Sequence, residues 1–234
     1  FAAASEHLTQ GTLVEVTDRS ITMQDANARR HRLTSSRAEA LLSGSYKQWN
    51  TLAWDMRGEQ PMLGQKCGIA PLDHGIEYEP WVRAQVWAAH PEWDDIEKPG
   101  LILHHDRDHP LFSQHCAATP DGIIRPIGWG LETKAPYSPA IHLGYARSGQ
   151  LPDEYRPQVQ WSLWVTGWDY WLFASGDPRL DPEDPERVVE LVVKPDPAYH
   201  ARIAEMALQF LEGYLAHEEF KPRTYSAAQL NAMF

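Results

Sequence analysis

The middle of the chain alternates between segments that favour strands and one segment that favours a helix. Residues 130–135 (GLETKA), 169–176 (DYWLFASG) and 187–194 (RVVELVVK) are rich in apolar or β-branched residues and have the length of strands. Residues 156–167 (RPQVQWSLWVTG) lie between the first two and have a proline in the first turn and a glycine at the end, as helices often do. A chain with this order is expected to form a sheet with a helix inserted between its strands.

Helical patterns lie on both sides of these strands. Ser36 and Glu39 match a capping box, and Gly44 is placed to end the helix that they begin. Asp196 is placed to cap the last helix of the chain. Two further helices are predicted at residues 45–57 and 74–89, the second of which Pro80 would either begin or kink. Helices, a mixed sheet with an inserted helix and a closing helix describe an α/β or α+β fold.

The chain contains no internal repeat, low-complexity tract or long Gly/Ser linker, so we predict a single main domain. Residues 11–23 favour a short strand pair or an arm, which separates residues 1–28 from a domain over residues 29–234. Two more candidate strands and one long loop complete the pattern, at residues 100–105, 111–119 and 136–153.

The composition excludes several classes of protein. Hydrophobic residues make up 43% and charged residues 23%, and without a run of about 18 apolar residues or a secretory signal we expect a cytoplasmic protein with no membrane span. A net charge of −11 argues against a nonspecific nucleic-acid coat protein, but not against a nucleic-acid enzyme whose carboxylates hold metal. Two cysteines, Cys67 and Cys116, cannot supply a disulfide framework or a four-cysteine iron–sulfur cluster.

Residues 119–134 (TPDGIIRPIGWGLETK) place two acids and a base in one predicted hairpin. Asp121 and Glu132 would approach each other across a bent hairpin, and the alternation of a strand puts Glu132 and Lys134 on one side. Mg²⁺ prefers hard oxygen ligands, so this trio fits a metal-dependent hydrolytic centre whose lysine orients water or meets a phosphate. The pattern also fits a surface hairpin in which the Asp-Gly pair makes the turn and the charges are solvated.

Two polar residues begin the predicted helix that follows. Tyr155 and Gln158 lie three positions apart and share one helix face, whereas Trp161 and Trp164 lie on another side and are interpreted as core. A tyrosine and a glutamine that face a carboxylate–metal centre could position substrate or water. Without such a centre they would be ordinary surface residues.

Three other patterns have simpler interpretations. The densest positive run is RRHR at residues 29–32, followed by Arg37. HHDRDH at residues 104–109 has the ligand types of a zinc site, but its residues are nearly consecutive and lie where a polar turn is expected. The ten tryptophans suggest stacking platforms, yet most have the spacing of core residues.

The segments TPDGII and GLETKAP, followed by YRPQVQWSLWVTGWDYWLFASGDPR, resemble the phage lambda exonuclease family. These proteins, also called YqaJ-like viral recombinase nucleases, belong to the PD-(D/E)xK nuclease superfamily, and Pro120 and Asp121 stand for the PD of that motif. The resemblance covers about residues 29–215 and is most specific over residues 119–179. It implies a restriction-endonuclease-like mixed central sheet flanked by helices, with residues 29–234 as a single PD-(D/E)xK exonuclease domain.

The resemblance also implies roles for individual residues. Asp121 and Glu132 would be metal ligands, with the carbonyl of Thr133 as a third protein ligand and Glu79 as the acidic helix residue beside the metals. The ion would be Mg²⁺, with Mn²⁺ able to substitute. The remaining implied catalytic residues are Lys134, Gln158 and Tyr155.

A pocket for a 5′-phosphate is implied by the same resemblance. Its residues would be Arg29, Ser36 and Thr119. A helix N-terminus offers free N–H groups to an anion, and an arginine adds bidentate contacts. Ser36 could instead be an ordinary N-cap, and Arg30 or Arg32 could take the place of Arg29.

The resemblance implies an exonuclease that digests one strand of linear duplex DNA from 5′-phosphorylated ends and leaves 3′ overhangs. It further implies a processive homotrimeric ring, a single-strand annealing recombinase as partner and a phage or prophage origin. Another nuclease of the superfamily, an endonuclease or a helicase-linked enzyme, is the nearest alternative. A glycoside hydrolase would use Asp121 and Glu132 as an acid–base pair but leaves Lys134 without a role. A catalytically inactive protein that binds DNA ends is the third alternative.

Overall fold

The computed structural model describes residues 28–59, 70–93 and 96–221, except for the side chains of Ala70 and Glu97. The strand pair predicted at residues 11–23 and the thiol of Cys67 lie outside these residues. The predicted fold class, a mixed sheet flanked by helices, is confirmed.

Most of the helices and strands follow the predicted order. The α-helices of the described residues are α1 (Ala38–Leu42), α2 (Tyr46–Arg57), α3 (Ala70–Ala89), α4 (Phe112–His115), α5 (Pro139–Ser148), α6 (Arg156–Thr166) and α7 (Pro197–Leu215). The strands are β1 (Ile96–Glu97), β2 (Ile102–Leu103), β3 (Ala117–Ala118), β4 (Gly122–Ile124), β5 (Trp129–Lys134), β6 (Trp171–Gly176) and β7 (Val188–Val193). Two 3₁₀ turns occupy Ser35–Arg37 and Arg125–Ile127.

The central sheet has five strands in the order β1-β4-β5-β6-β7. Its strands pair antiparallel except for β5 and β6, which are parallel, with Glu132 beside Phe173. Parallel neighbours need a crossover connection, and the segment that holds α5 and α6 supplies it. Strands β2 and β3 form a separate antiparallel pair.

Helices cover both faces of the sheet. Val82 of α3 belongs to a buried cluster with Leu131 of β5 and Leu172 of β6. Val159 of α6 belongs to another cluster with Phe173 of β6. Because successive strand residues point to opposite faces, α3 and α6 lie on opposite sides of the sheet.

A third cluster packs the outer side of α6 against α1, α2 and α7. Trp49, Trp161 and Phe210 are all buried there, and the rings of Trp49 and Phe210 meet edge to face at 5.6 Å. The buried tryptophans of the molecule are Trp49, Trp93, Trp161, Trp164, Trp168 and Trp171. This agrees with their interpretation as core residues. None of the helices in the three described ranges is long and apolar enough to cross a membrane.

Several predicted helices are confirmed. Helix α2 matches the prediction at residues 45–57, and α6 ends at Gly167, which has a φ of 70°. The Asp196 side chain accepts hydrogen bonds from the N–H groups of Ala198 and Tyr199, each at 3.1 Å, so it caps α7 as predicted. Pro80 lies inside α3 and does not begin it, since the helix runs from Ala70.

The loop predicted at residues 136–153 is wrong, because α5 occupies much of it. Pro139 takes the first helical position and Gly149, with a φ of 59°, ends the helix. This is the N-terminal proline and C-terminal glycine arrangement that favours helices. The strand predicted at 111–119 is partly wrong as well, since α4 fills its first half.

The capping box at Ser36 and Glu39 is also wrong. Ser36 is the second residue of a 3₁₀ turn, and Thr34 occupies the N-cap position without a side-chain cap. The Ser36 hydroxyl lies 3.3 Å from the Thr34 hydroxyl instead. The predicted end at Gly44 is confirmed by its φ of 63°.

The Asp-Gly pair does not make the hairpin turn. Gly122 is the first residue of β4, and the turn consists of Arg125–Ile127 with Gly128 at a φ of 68°. A Cβ atom on Gly122 would lie 2.5 Å from Cγ2 of Ile96. The glycine is therefore required by the close approach of β1 and not by a turn.

Candidate active site

Glu132 and Lys134 lie on the same side of β5, facing α6. Glu132 is only 2% exposed. Its Oε1 atom accepts hydrogen bonds from Nζ of Lys134 and from Nε2 of Gln158 on α6. The alternation of β5 and the first turn of α6 thus bring three of the predicted catalytic side chains together.

Asp121 lies directly before β4, opposite Glu132 in the hairpin. The register pairs Gly122 with Leu131, and the Asp121 N–H donates to the Leu131 carbonyl at 2.9 Å. Oδ2 of Asp121 accepts hydrogen bonds from the N–H of Thr133 at 2.8 Å and from its hydroxyl at 3.0 Å. These contacts fix the carboxylate at the end of the hairpin where Glu132 and Lys134 lie.

Glu79 brings a third carboxylate from α3, and the acids influence each other's pKa. Burial and, to a smaller extent, the nearby Asp121 raise the pKa of Glu132 to about 8, although Lys134 opposes both effects. Burial likewise raises the pKa of Glu79 to about 7, with Lys134 opposing and Asp121 adding to the rise. Burial lowers the pKa of Lys134, but Glu132, Asp121 and Glu79 together raise it above its ordinary value. The lysine is therefore protonated at neutral pH.

The donors at this site fit a hard divalent cation. Asp121, Glu132 and Glu79 supply carboxylate oxygens, and β5 places Thr133 between Glu132 and Lys134. Burial and mutual repulsion disfavour the ionised forms of Glu132 and Glu79, as their raised pKa values show, and a divalent cation would favour those forms. Within the described ranges, no three His, Cys, Asp or Glu side chains are already close enough together to enclose a metal ion.

Tyr155 lies at the N-cap position of α6 and packs beside the lysine. Nζ of Lys134 is 5.4 Å from the centre of the Tyr155 ring, a cation–π geometry. Burial raises the pKa of Tyr155. Tyr155 and Gln158 therefore contact the acid–lysine group from the same end of α6, as their spacing predicts, while their catalytic roles stay predictions.

The three candidate arginines of the 5′-phosphate pocket point to different places. Burial lowers the pKa of Arg29, the neighbouring Arg37 lowers it further, and Asp121 opposes the change, so Arg29 lies near Asp121. Arg32 turns back and donates from Nη1 to the Ala28 carbonyl at 2.5 Å. Nη1 of Arg30 lies 3.4 Å from where a Cβ on Gly58 would be, at the end of α2. Asp121 therefore acts electrostatically on Arg29, whereas Arg32 is bonded back to its own turn.

The other two predicted phosphate ligands, Ser36 and Thr119, lie on different segments of the chain. Ser36 is exposed in the 3₁₀ turn that precedes α1, and Thr119 is half-buried two residues before Asp121. The adjacent Ser35 is committed elsewhere, because its hydroxyl lies 2.9 Å from that of Ser162 on α6. Ser36 and Thr119 stay predictions as phosphate ligands.

Two residues that support the site were not predicted from the sequence. Nη1 of Arg83 on α3 donates to the Asp121 carbonyl at 3.2 Å and so ties that helix to the hairpin. Tyr145 of α5 lies edge to face on Tyr155, with ring centres 6.0 Å apart, and its hydroxyl donates to Glu154. The serine-proline start and glycine end of α5 could have revealed Tyr145, whereas no local pattern marks Arg83.

The histidine-rich segment is part of the packing. His104 is 3% exposed, and its Nδ1 accepts a hydrogen bond from the Asp106 N–H at 3.1 Å. His105 places Nδ1 3.1 Å from the Trp164 carbonyl. Oδ1 of Asp106 accepts from the N–H groups of Asp108 and His109, as in an Asx turn. The segment forms the polar turn that its position between strands predicts.

Comparison with known proteins identifies a matching family model and a related sequence. A family model described as the YqaJ-like viral recombinase domain matches residues 26–169. The protein ExoD of Escherichia coli (strain K12) is 41% identical over 62 residues, which are 26% of this chain and 68% of that protein.

Solved structures share the fold. Two crystal structures of the alkaline exonuclease LHK-Exo from Laribacter hongkongensis, one of them in complex with dAMP, superpose with TM-scores of 0.67 and 0.66 at 25% and 26% identity. Each match covers 84% of this chain and 94% of that one. A phage-related exonuclease from Haemophilus somnus 129PT has a TM-score of 0.56 at 12% identity over 78% of this chain and 93% of its own, which shows the common fold alone.

Proposed function

The chain belongs to the YqaJ-like viral recombinase family, and we propose that it is a Mg²⁺-dependent exonuclease that digests one strand of linear duplex DNA from 5′-phosphorylated ends. Membership of this family and the similarity to an alkaline exonuclease support the general class of enzyme, a phage-type exonuclease. The proposed 5′-to-3′ polarity leaves 3′ single strands, which are the substrate of recombination by strand annealing.

The cation site consists of Asp121 and Glu132, with the Thr133 carbonyl and Glu79 completing the protein ligands. A bound Mg²⁺, or Mn²⁺ in its place, would supply Lewis-acid activation of water and neutralisation of phosphate charge. The hydrogen bonds from Thr133 to Asp121 orient one ligand before any ion arrives. Gln158 and Lys134 orient the other. A preorganised carboxylate pair lowers the cost of binding the ion and the substrate.

Lys134 is the residue proposed to meet the reacting groups. Its ammonium is protonated, because three carboxylates raise its pKa, and it is held at the buried end of the site. From there it can orient the attacking water or donate a charge-assisted hydrogen bond to the scissile phosphate. Tyr155, beneath the same ammonium, limits where it can move.

End selection is assigned to Arg29, Ser36 and Thr119. Arg29 approaches Asp121, so a phosphate that it holds would lie next to the hydrolytic centre. A guanidinium can bind two phosphate oxygens at once, and hydroxyl groups can donate to the others. A terminal phosphate carries more charge than an internal one, which is why such a pocket would favour a phosphorylated 5′ end.

One observation carries this proposal: a buried glutamate bonded to both the strand lysine and the helix glutamine, across a hairpin from a fixed aspartate. In a family of recombination nucleases, this arrangement favours phosphodiester hydrolysis over the acid–base chemistry of a glycoside hydrolase. Lys134 and Arg29 have a role in the first chemistry and none in the second.

The test is digestion of duplex DNA that is labelled at a single end. Linear duplexes with a 5′-phosphate or a 5′-hydroxyl and closed circles are incubated with Mg²⁺ or with EDTA. We expect loss of the 5′-phosphorylated strand in Mg²⁺, slower loss from 5′-hydroxyl ends, and intact circles. Degradation from 3′ ends, cutting of circles, or activity that survives EDTA would each contradict the proposal.

A processive ring and a recombinase partner are part of the same proposal. We propose a homotrimer that encloses its DNA and a single-strand annealing protein that takes over the exposed strand, in a phage or prophage context. Light scattering of the purified protein tests the first part, with a mass of three chains of 26.6 kDa expected. Nucleotide release that stays on one DNA molecule after dilution with competitor DNA tests processivity.

A further inference from the structure

Arg37 joins three backbone oxygens of the turn that presents Arg29. Its Nη1 donates to the carbonyls of Arg29 at 3.0 Å, Arg30 at 2.8 Å and Arg32 at 2.5 Å. Its Nη2 donates to the carboxylate of Asp55 on α2. The Arg37 side chain is only 17% exposed. One guanidinium thus fastens the whole basic turn to a helix of the core.

The basic turn is the end of a helical segment. Residues 28–30 are helical, the Arg32 N–H donates to the Arg29 carbonyl at 3.2 Å, and the chain then continues as an extended segment at Leu33. Leu33 is fixed by the His115 carbonyl at 2.7 Å and by the N–H of Ala117 at 2.9 Å. Carbonyls at the end of a helical turn have no partner further along the helix, and a basic side chain commonly satisfies them. Arg37 does so here from the following 3₁₀ turn.

The contacts of Arg37 determine the backbone from which Arg29 extends. The charges of Arg37 and Asp121 both act on the Arg29 guanidinium, with opposite effects on its pKa. Its long side chain loses considerable rotamer freedom when it is held in one place, and a fixed backbone reduces the further freedom that binding must remove. Loosening the turn would leave Arg29 in the chain but spread its guanidinium over many positions.

We propose that Arg37, held by Asp55, is a positioning residue for Arg29 and thereby sets the preference of the enzyme for 5′-phosphorylated ends. The inference rests on the proposed function, because it assigns the phosphate contact to Arg29. Arg37 itself faces backbone carbonyls and Asp55, so it acts through the turn and not by touching the substrate.

The variant Arg37→Lys distinguishes a role of Arg37 that depends on its hydrogen-bond geometry from one that depends on its charge. Asp55 pairs with Arg37, so much of the positive charge of Arg37 is already offset. A lysine keeps that charge but cannot donate to three carbonyls and to a carboxylate from opposite ends of one rigid planar group. Arg37→Lys should therefore behave like Arg37→Gln if geometry decides, and like the wild type if charge decides.

The experiment compares kcat/KM on duplexes with 5′-phosphate and with 5′-hydroxyl ends. We expect both Arg37 variants to lower the ratio of the two values by about tenfold or more, the size of effect that follows when a positioned group is displaced. Arg29→Ala should lower the same ratio, and adding Arg37→Lys to it should change the ratio no further, since the two act as one unit. Anisotropy of labelled duplex ends in EDTA should show the same loss of discrimination without catalysis.

Arg57 provides the matched control on α2. It also donates from a guanidinium to a backbone carbonyl, that of Tyr214 at 2.8 Å, but it braces α7 and not the basic turn. Arg57→Lys should leave the end preference at the wild-type value. The inference is overturned if Arg37→Lys keeps the preference, if it lowers both rates equally, or if Arg57→Lys lowers the ratio as much. A wild-type enzyme with no end preference would instead overturn the proposed phosphate pocket, and this inference with it.

Discussion

Acid should weaken this fold through His104, and the structure gives the size of the effect. Burial and, to a smaller extent, the adjacent His105 lower the pKa of His104 to about 3. The ring packs against Phe112 and Trp164, and its Nδ1 accepts the hydrogen bond of Asp106. Protonation would end that hydrogen bond and place a charge in the core.

The sign follows from the two states. An unfolded histidine takes up a proton near pH 6.5, whereas His104 in the folded protein does so only near pH 3. Between these values the unfolded chain binds more protons, so the free energy of unfolding falls as the pH falls. With these two pKa values the loss between pH 7.5 and pH 4 is about 3 kcal/mol.

The assay is urea unfolding, followed by tryptophan fluorescence at several pH values, of the wild type and of His104→Asn. Asparagine can accept the Asp106 N–H but does not titrate, although the lost ring volume costs stability at every pH. The wild type should lose about 3 kcal/mol more than the variant between pH 7.5 and pH 4. His217→Asn, the same exchange at an exposed position, should lose as much as the wild type. Equal losses in the wild type and His104→Asn would refute the reasoning.

Two other positions give independent predictions. A Cβ on Gly130 would lie 2.5 Å from Cε3 of the buried Trp171, so Gly130→Ala should destabilise the protein by about 1–3 kcal/mol in thermal unfolding. Gly144→Ala on α5, where a Cβ meets nothing within 4 Å, should be neutral or stabilising, and equal effects of the two exchanges would contradict this packing. Cys116 is fully buried and burial raises its pKa, so it should escape iodoacetamide in the native protein and react only after unfolding, as peptide mass spectrometry can show. Rapid native labelling of Cys116 would contradict its burial.

The order of helices and strands could be read from the sequence because local signals agreed with the tertiary packing. A proline in the first turn and a glycine at the end marked α6 in the sequence, and Asp196 with Pro197 marked the start of α7. The alternation of β5 placed Glu132 and Lys134 on one side, and the helix spacing of Tyr155 and Gln158 brought them to the same place. These features depend on neighbours within a few residues, which is the range over which sequence periodicity is informative.

The features that the sequence did not predict depend on contacts between distant segments of the chain. Gly122 suggested a turn, but the approach of Ile96, many residues earlier, requires a glycine there. Arg29, Arg30 and Arg32 were equivalent in sequence, and the folded turn separates them by bonding Arg32 to its own backbone and bringing Arg29 near Asp121. A local pattern cannot show which of several equal charges is held by a distant group.

The most direct test of the central claim is removal of the lysine that the acids hold. Lys134→Ala and, as a matched control, the exposed Lys47→Ala are compared on a 5′-phosphorylated linear duplex in Mg²⁺, with DNA-end binding measured in parallel. We expect Lys134→Ala to release nucleotides at least about a thousandfold more slowly while still binding DNA ends, and Lys47→Ala to match the wild type. Undiminished digestion by Lys134→Ala would contradict the assignment of Asp121, Glu132 and Lys134 as the hydrolytic centre.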